Sequence, residues 1–160
     1  MISAEDKAHI EAQLGREIRG ALEVAHYCAC GKPDVVKTAP RLPDGTPFPT
    51  MFYVTCPKLT SAIGTLEANN VMKEMQDRLA SDPDLAQNYL LAHESYLAER
   101  EAVEHVEEIA GITAGGMPHR VKCLHVLAGQ ALAKGPGVNR LGDEVIAAVK
   151  GCQDNGSCVN

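Results

Sequence analysis

The spacing of hydrophobic residues changes at Pro57, and this change constrains the fold more than any other feature of the chain. Before Pro57, Leu22, Val24 and His26 alternate with other residues, and segment 51–54 is rich in β-formers. Alternation with a period of two predicts strands. After Pro57 the apolar residues recur every three or four positions, which predicts helices. We therefore expect an α+β fold, in which a small β-unit packs against several helices.

Capping residues place the ends of the predicted helices. Ser3 can cap a first helix that Gly15 ends, and Asp82 followed by Pro83 is a strong helix start. Segment 39–49 contains four prolines and a Pro-Asp-Gly turn, so it is predicted to be a rigid loop without regular structure. The predicted helical regions run from Ser3 to Gly15, from Pro57 to Ser81, from Asp82 through Val103 and from Pro118 to Gly135.

Length and charge limit the class of protein. A chain of 160 residues, 45% of them hydrophobic, fits one domain over residues 1–150, and residues 151–160 read as a mobile C-terminal tail. The net charge of −6 argues against nucleic-acid binding, which usually needs a basic face. No apolar run approaches the roughly 18–20 residues that span a bilayer, and no signal peptide is recognisable. We expect a cytoplasmic protein without membrane insertion.

Six cysteines in such a chain are unusual. Disulfides are disfavoured in the cytoplasm, so the cysteines read first as metal ligands. Cys28 and Cys30 lie two residues apart before Gly31, which allows a knuckle-like turn, and Cys56 follows the next predicted strand. Zinc favours such thiolate ligands, although a cysteine followed by proline also occurs at iron–sulfur clusters. Reduced thiols without metal and redox or disulfide use remain alternatives.

The fourth ligand is predicted to come from Cys123, with His125 as the alternative. In a regular helix positions 123 and 125 point about 200° apart, so one helix could not aim both at one ion. Cys123 would complete a four-thiolate site, and His125 would then be a hydrogen-bonded core histidine. Cys152 and Cys158 lie in the polar tail and are expected to be exposed thiols without a function.

A second candidate site could bind an anion. Two glycines, Gly115 and Gly116, precede the predicted helix start, and Arg120 and Lys122 follow closely. Backbone N–H groups at a helix start and nearby cations favour phosphate-like ligands. Lys37 and Arg41 could converge on the same place as further donors. An ordinary glycine-rich connection is the competing interpretation.

A third set lies on one helix face, where His93, Tyr96 and Arg100 recur at helical spacing. Acid–base chemistry could use these groups, but a charged helix face with Tyr96 at the core boundary explains them without catalysis. The His-Glu-x-x-His motif is absent because position 97 is Leu97.

Several motifs are long enough to identify a family. The chain resembles a bacterial, mainly actinobacterial family known as domain of unknown function 501, over about residues 14–146. The resemblance implies no established activity; it implies a cytosolic setting, with genes near those for a septum-formation initiator and an exopolyphosphatase. The motifs that carry it are segments 28–36, 42–50, 115–118, 120–125 and 135–139.

Taken together, the residues predict a small cytosolic metal-binding protein, with zinc the first choice and an iron–sulfur cluster the second. Its role would be non-enzymatic or regulatory. A metal-dependent enzyme acting on a phosphorylated or other anionic small molecule is the first alternative. An interaction module linked to cell division, with an unknown protein partner, is the other.

Overall fold

A computed structural model describes residues 1–149, which form six α-helices and a three-stranded antiparallel sheet. The α+β prediction is therefore confirmed. The tail predicted over residues 151–160, with Cys152 and Cys158, lies outside the described residues. The elements are α1 (Ala4–Leu14), β1 (Ala21–Tyr27), β2 (Pro33–Thr38), β3 (Phe52–Val54), α2 (Pro57–Ala68), α3 (Val71–Ser81), α4 (Pro83–Val103), a short 3-10 turn (Glu107–Ile109), α5 (Leu124–Lys134) and α6 (Arg140–Ala148).

The sheet has the order β1-β2-β3, and β2 is its central strand. Val35 pairs with His26 on one side and with Val54 on the other. Five of the six positions of β2 are buried, which indicates that other elements pack on both faces of this strand. The β1–β2 pairing shifts register near His26, and such irregularities re-aim side chains.

Two predicted helix starts are confirmed by their caps. The Ser3 side chain accepts the backbone N–H of Asp6, and Gly15 ends α1 with a φ of +69°. Asp82 caps α4 by accepting the N–H of Leu85 at 3.1 Å, and Pro83 occupies the first turn. A short polar side chain before the helix satisfies an amide that has no partner within the helix.

The helical region from Pro57 to Ser81 is divided into α2 and α3. Asn70 has a φ of +64°, a left-handed conformation that asparagine tolerates better than most residues. The apolar stripe continues across the break because Ile63 of α2 and Met75 of α3 are both buried. The spacing of apolar residues predicted the buried face correctly, but it did not predict the break between α2 and α3.

The prediction of a helix from Pro118 is wrong, because α5 begins at Leu124. Residues 118–123 form a turn and an extended segment after a cis peptide bond between Met117 and Pro118. This segment is anchored by its backbone: the N–H of Lys122 donates to the carbonyl of Gly115 at 2.8 Å. The late start of α5 leaves Cys123 outside the helix, in an extended conformation.

Helix α5 lies at the centre of the molecule and packs against α2, α6 and the sheet. Seven of its eleven residues are buried. Gly129 lies against the carbonyl of Phe52, and a side chain there would collide with the β3 backbone. Only glycine allows this close approach, which fixes the distance between α5 and the sheet.

Candidate metal centre at the α2–α5 contact

Three side chains with metal-ligand chemistry meet where α2 packs on the start of α5. They are Glu67 of α2, Cys123 at the N-cap of α5 and His125 in its first turn. One potential ligand atom from each lies within 4.8 Å of the other two. We call these three residues the Glu67–Cys123–His125 cluster. Among residues 1–149, it is the one group of three such side chains whose ligand atoms lie this close together.

The distances within the cluster approach those of a zinc site. His125 Nδ1 lies 3.3 Å from Glu67 Oε1 and 4.0 Å from Cys123 Sγ. Ligand atoms that bind one tetrahedral zinc at about 2.0–2.3 Å lie roughly 3.3–3.6 Å from one another. Small side-chain movements would therefore bring all three atoms to coordinating distance.

The ring of His125 is oriented by its second nitrogen. Nε2 lies 3.1 Å from the backbone carbonyl of Thr60, two helical turns before Glu67 on α2. A proton on Nε2, donated to that carbonyl, leaves Nδ1 as the nitrogen that faces Cys123 and Glu67. Metal-binding histidines commonly donate their other N–H to a carbonyl in this way.

The carboxylate of Glu67 is oriented as well. Its Oε2 accepts the backbone N–H of Leu124 at 3.0 Å, while Oε1 faces His125. The N–H of Leu124 is one of the amides at the start of α5 that have no partner within the helix, and the helix dipole favours a negative charge there. Glu67 thus satisfies the helix start with one oxygen and keeps the other available.

In the absence of an ion, hydrogen bonding raises the pKa of His125 to about 9. The contact with the Cys123 side chain is the largest cause, with the Thr60 carbonyl and the charge of Glu67 adding to it against the opposing effect of burial. The imidazole is therefore protonated at neutral pH, and a metal that bound here would have to displace that proton.

Both residues that the sequence offered as alternatives, Cys123 and His125, belong to the cluster. The premise that they could not share an ion was wrong, because it required both to lie within a regular helix. Cys123 has φ −150° and ψ 111°, so its side chain leaves the backbone before the helical spacing begins. Glu67 was missed because no local motif links it to residues 123–125, 56 positions or more away.

The other predicted thiol ligands lie elsewhere. Cys28 and Cys30 occupy the β1–β2 turn, where Gly31 has the expected positive φ of +87°. Cys56 is a buried free thiol at the N-cap of α2. Cys28 and Cys56 line one cavity. A site that joins Cys28, Cys30 and Cys56 to Cys123 stays a prediction.

The four predicted anion donors also stay predictions. Lys37 lies 3.9 Å from Glu99, and Arg41 lies 2.9 Å from Glu108. Arg120 and Lys122 are exposed on the segment before α5. The N–H of Leu124, at the observed start of α5, already donates a hydrogen bond to the Glu67 carboxylate.

The helix-face set has a structural explanation. Tyr96 and Arg100 are buried, and their polar atoms form hydrogen bonds with backbone groups of neighbouring loops. The Tyr96 hydroxyl accepts the N–H of Met51 at 2.6 Å. Arg100 donates to the carbonyls of Pro49 and Ile109 at 3.0 and 2.9 Å, and to that of Ile112. His93 lies 2.9 Å from the Thr113 hydroxyl. Tyr96 lies deeper than the expected core boundary, and the expectation of a charged face is wrong for Arg100, whose guanidinium is buried.

The fold and the cluster define a small α+β protein with a candidate three-ligand metal centre. A family model described as "Protein of unknown function (DUF501)" matches residues 24–147, which is most of the chain. The chain belongs to this family, as its motifs indicated. No curated protein and no solved structure matches it. Within residues 1–149 we find no helix of the length and apolarity that crossing a bilayer requires.

Proposed function

We propose that this protein binds one zinc ion through Glu67, Cys123 and His125. The observation that carries the proposal is the convergence of a thiol, an imidazole nitrogen and a carboxylate oxygen, of which the last two are oriented by backbone groups. Cysteine, histidine and carboxylate are the ligands that zinc takes in proteins. An iron–sulfur cluster is less favoured here, because such clusters need several thiolates and this group has one.

A second candidate function, a metal-dependent enzyme, is favoured by the number of ligands. Structural zinc sites use four protein ligands, whereas catalytic sites use three and leave the fourth position for water or substrate. The side chains of His125 and Glu67 are 28% and 25% exposed, so solvent can reach that position. A phosphorylated or other anionic small molecule would be attracted to the cation.

Elemental analysis and zinc titration of the full chain, purified without oxygen, test the proposal. We expect about one zinc per chain, removal by a strong chelator and rebinding on addition of zinc. His125→Gln and Cys123→Ser should each lower the affinity at least 100-fold. His119→Gln, a change of the same kind at an exposed histidine outside the cluster, should not.

Protein that binds no zinc with all three side chains intact would disprove the proposal. The cluster would then be an ion pair with a hydrogen-bonded thiol. Cobalt substitution separates the two candidate functions. Absorption bands that change when phosphate is added indicate an exchangeable position, and bands that stay constant indicate a closed site.

A further inference from the structure

Two adjoining cavities, of about 330 and 410 Å³, lie where β1 faces α5 and α6. His26, Leu132 and Ile146 line both of them, so the two cavities form one groove, which we call the His26 groove. Its volume lies in the range of small-molecule sites. None of the described residues that line it belongs to the Glu67–Cys123–His125 cluster.

The charged side chains of the His26 groove are acidic. Asp34 lines the first cavity and Asp143 lines the second. Of residues 1–149, no lysine or arginine lines either cavity. Asp143 is fixed in place by its Oδ2, which accepts the backbone N–H of Gly137 at 2.8 Å. Carboxylates without a neighbouring cation attract a positively charged ligand and repel an anion.

Asp34 and His26 form a hydrogen-bonded pair in the wall of the groove. Asp34 Oδ1 lies 2.7 Å from His26 Nδ1, and the Asp34 side chain is 7% exposed. Burial raises the pKa of Asp34 because it disfavours the negative charge, and the contact with His26 acts in the opposite direction. A positive charge brought into the groove would stabilise this buried carboxylate further.

The ring of His26 offers the groove a hydrogen-bond acceptor. A proton on Nδ1, donated to the carboxylate of Asp34, leaves Nε2 with a free lone pair. The His26 side chain is 36% exposed and lines both cavities, so a ligand in the groove contacts this ring. An acceptor with a negative charge behind it matches a ligand group that carries both N–H donors and a positive charge, as an ammonium does.

The rest of the lining is apolar and comes from three helices. Leu59 of α2, Leu132 of α5 and Ile146 of α6 line the first cavity, and the latter two line the second as well. An aliphatic chain gains free energy by leaving water for such a surface. A small cation without a chain would lose hydration there and gain no apolar contact.

We propose that the His26 groove binds a protonated aliphatic amine, with the ammonium beside His26 and Asp34 and the alkyl chain against Leu59, Leu132 and Ile146. The ammonium donates a hydrogen bond to Nε2 of His26, and its charge stabilises the Asp34 carboxylate on the other side of the ring. Because the His26 side chain is partly exposed, the ammonium keeps part of its hydration while the chain is buried.

Titration of the full chain with three ligands tests the proposal at about pH 7.5, where an alkylamine is protonated. Hexylamine should shift the amide signals of residues that line the groove and the ring-nitrogen signals of His26 in nitrogen-labelled protein. Hexanoate has a chain of the same length with the opposite charge and should bind at least about 10-fold more weakly. Methylamine has almost no chain to bury and should also bind at least about 10-fold more weakly.

Two variants separate the polar wall from the apolar wall. Asp34→Asn keeps the size of the side chain and removes its charge, so hexylamine affinity should fall at least about 10-fold. Ile146→Ala should weaken hexylamine about 3-fold or more and leave methylamine unchanged. Asp84→Asn, at an exposed aspartate of α4, is the matched control and should bind hexylamine normally. Circular dichroism shows whether each variant is folded.

Several results would overturn the proposal. They are equal affinity for hexylamine and hexanoate, shifts confined to residues outside the groove, no shift at millimolar hexylamine, and a folded Asp34→Asn variant with unchanged affinity. The ring-nitrogen signals of His26 test the unchanged protein even where a variant does not fold. A chelator-treated sample should bind hexylamine equally well, because the described lining contains no member of the Glu67–Cys123–His125 cluster.

Discussion

The backbone N–H of Leu124 donates to Oε2 of Glu67 at 3.0 Å, and this hydrogen bond joins the start of α5 to the last turn of α2. It brings the carboxylate to Cys123 and His125, the residues on either side of Leu124. A single side chain therefore caps the helix start and offers a ligand atom.

Replacing Glu67 with glutamine tests this double role. The amide oxygen can still accept the N–H of Leu124, so the melting temperature should change little. The negative charge is lost, and zinc affinity should fall about 10–100-fold, because amide oxygen is a poorer zinc ligand than carboxylate. Competition with a chromophoric chelator measures the affinity. Glu74→Gln, at an exposed glutamate of α3, is the matched control and should bind zinc normally.

The buried Arg100 clamp gives a stability prediction. Arg100 is 1% exposed and donates to backbone carbonyls on both sides of α4, at Pro49, Ile109 and Ile112. Arg100→Met would leave three acceptors without these donors. We expect a loss of about 3–4 kcal/mol of unfolding free energy, at roughly 1 kcal/mol or more for each unsatisfied group.

Urea unfolding measures this loss. Arg100→Lys should also be destabilising, since an ammonium cannot reproduce the fork of the guanidinium. Arg16→Met, at an exposed arginine, should stay within about 0.5 kcal/mol of the unchanged protein. Equal stability of Arg100→Met and Arg16→Met would show that the clamp is dispensable.

The fully buried Asn139 serves two elements. Its Oδ1 caps α6 by accepting the N–H of Gly142 at 2.9 Å, and its Nδ2 donates to Gln130 of α5 at 3.0 Å. Asn139→Ala removes the cap and leaves the Gln130 oxygen without its donor. We expect a cost of about 2–3 kcal/mol in denaturant unfolding. Asp82→Ala removes a cap alone and should cost about 1 kcal/mol; an equal cost for both would refute the double role.

The lowered pKa of His93 predicts that the stability of the fold depends on pH. Burial lowers its pKa, and the nearby positive charges of His119 and Arg100 act in the same direction, against the opposing charge of Glu94. A pKa lowered in the folded state means that the unfolded chain binds the proton more readily. This contribution to stability is therefore present above about pH 6.5, the ordinary histidine pKa, and is lost as pH falls through the lower folded value.

Urea unfolding of the native protein and of His93→Gln at pH 7.5 and pH 5 measures the effect. Glutamine can keep the hydrogen bond to Thr113 but does not titrate over this range. The variant should lose less stability on acidification than the native protein. Identical losses would mean that His93 does not contribute to the acid sensitivity.

The helix starts differ in how well the local sequence predicts them. Asp82 and Pro83 placed the start of α4 correctly, because the cap and the proline act within one turn. Pro118 was wrongly interpreted as the first residue of a helix, since α5 begins at Leu124. Its cis bond to Met117 and the positive φ values of Gly115 and Gly116 belong to a loop that precedes α5 by several residues. Helix α6 was not predicted at all, although Asn139 caps it.

The sequence by itself determined the α+β class and the family, and it offered Cys123, with His125 as the alternative, as a candidate metal ligand. These depend on hydrophobic periodicity, on long motifs and on the chemistry of single side chains, all of which are local. Only the tertiary structure decided that Glu67 lies beside these two residues, that Cys56, His26 and Asp34 line one cavity, and that Arg100 is buried and hydrogen-bonded to three backbone carbonyls. Each depends on elements that meet across large sequence separations through packing of α2, α4 and α5, and no local pattern records which helix faces will meet.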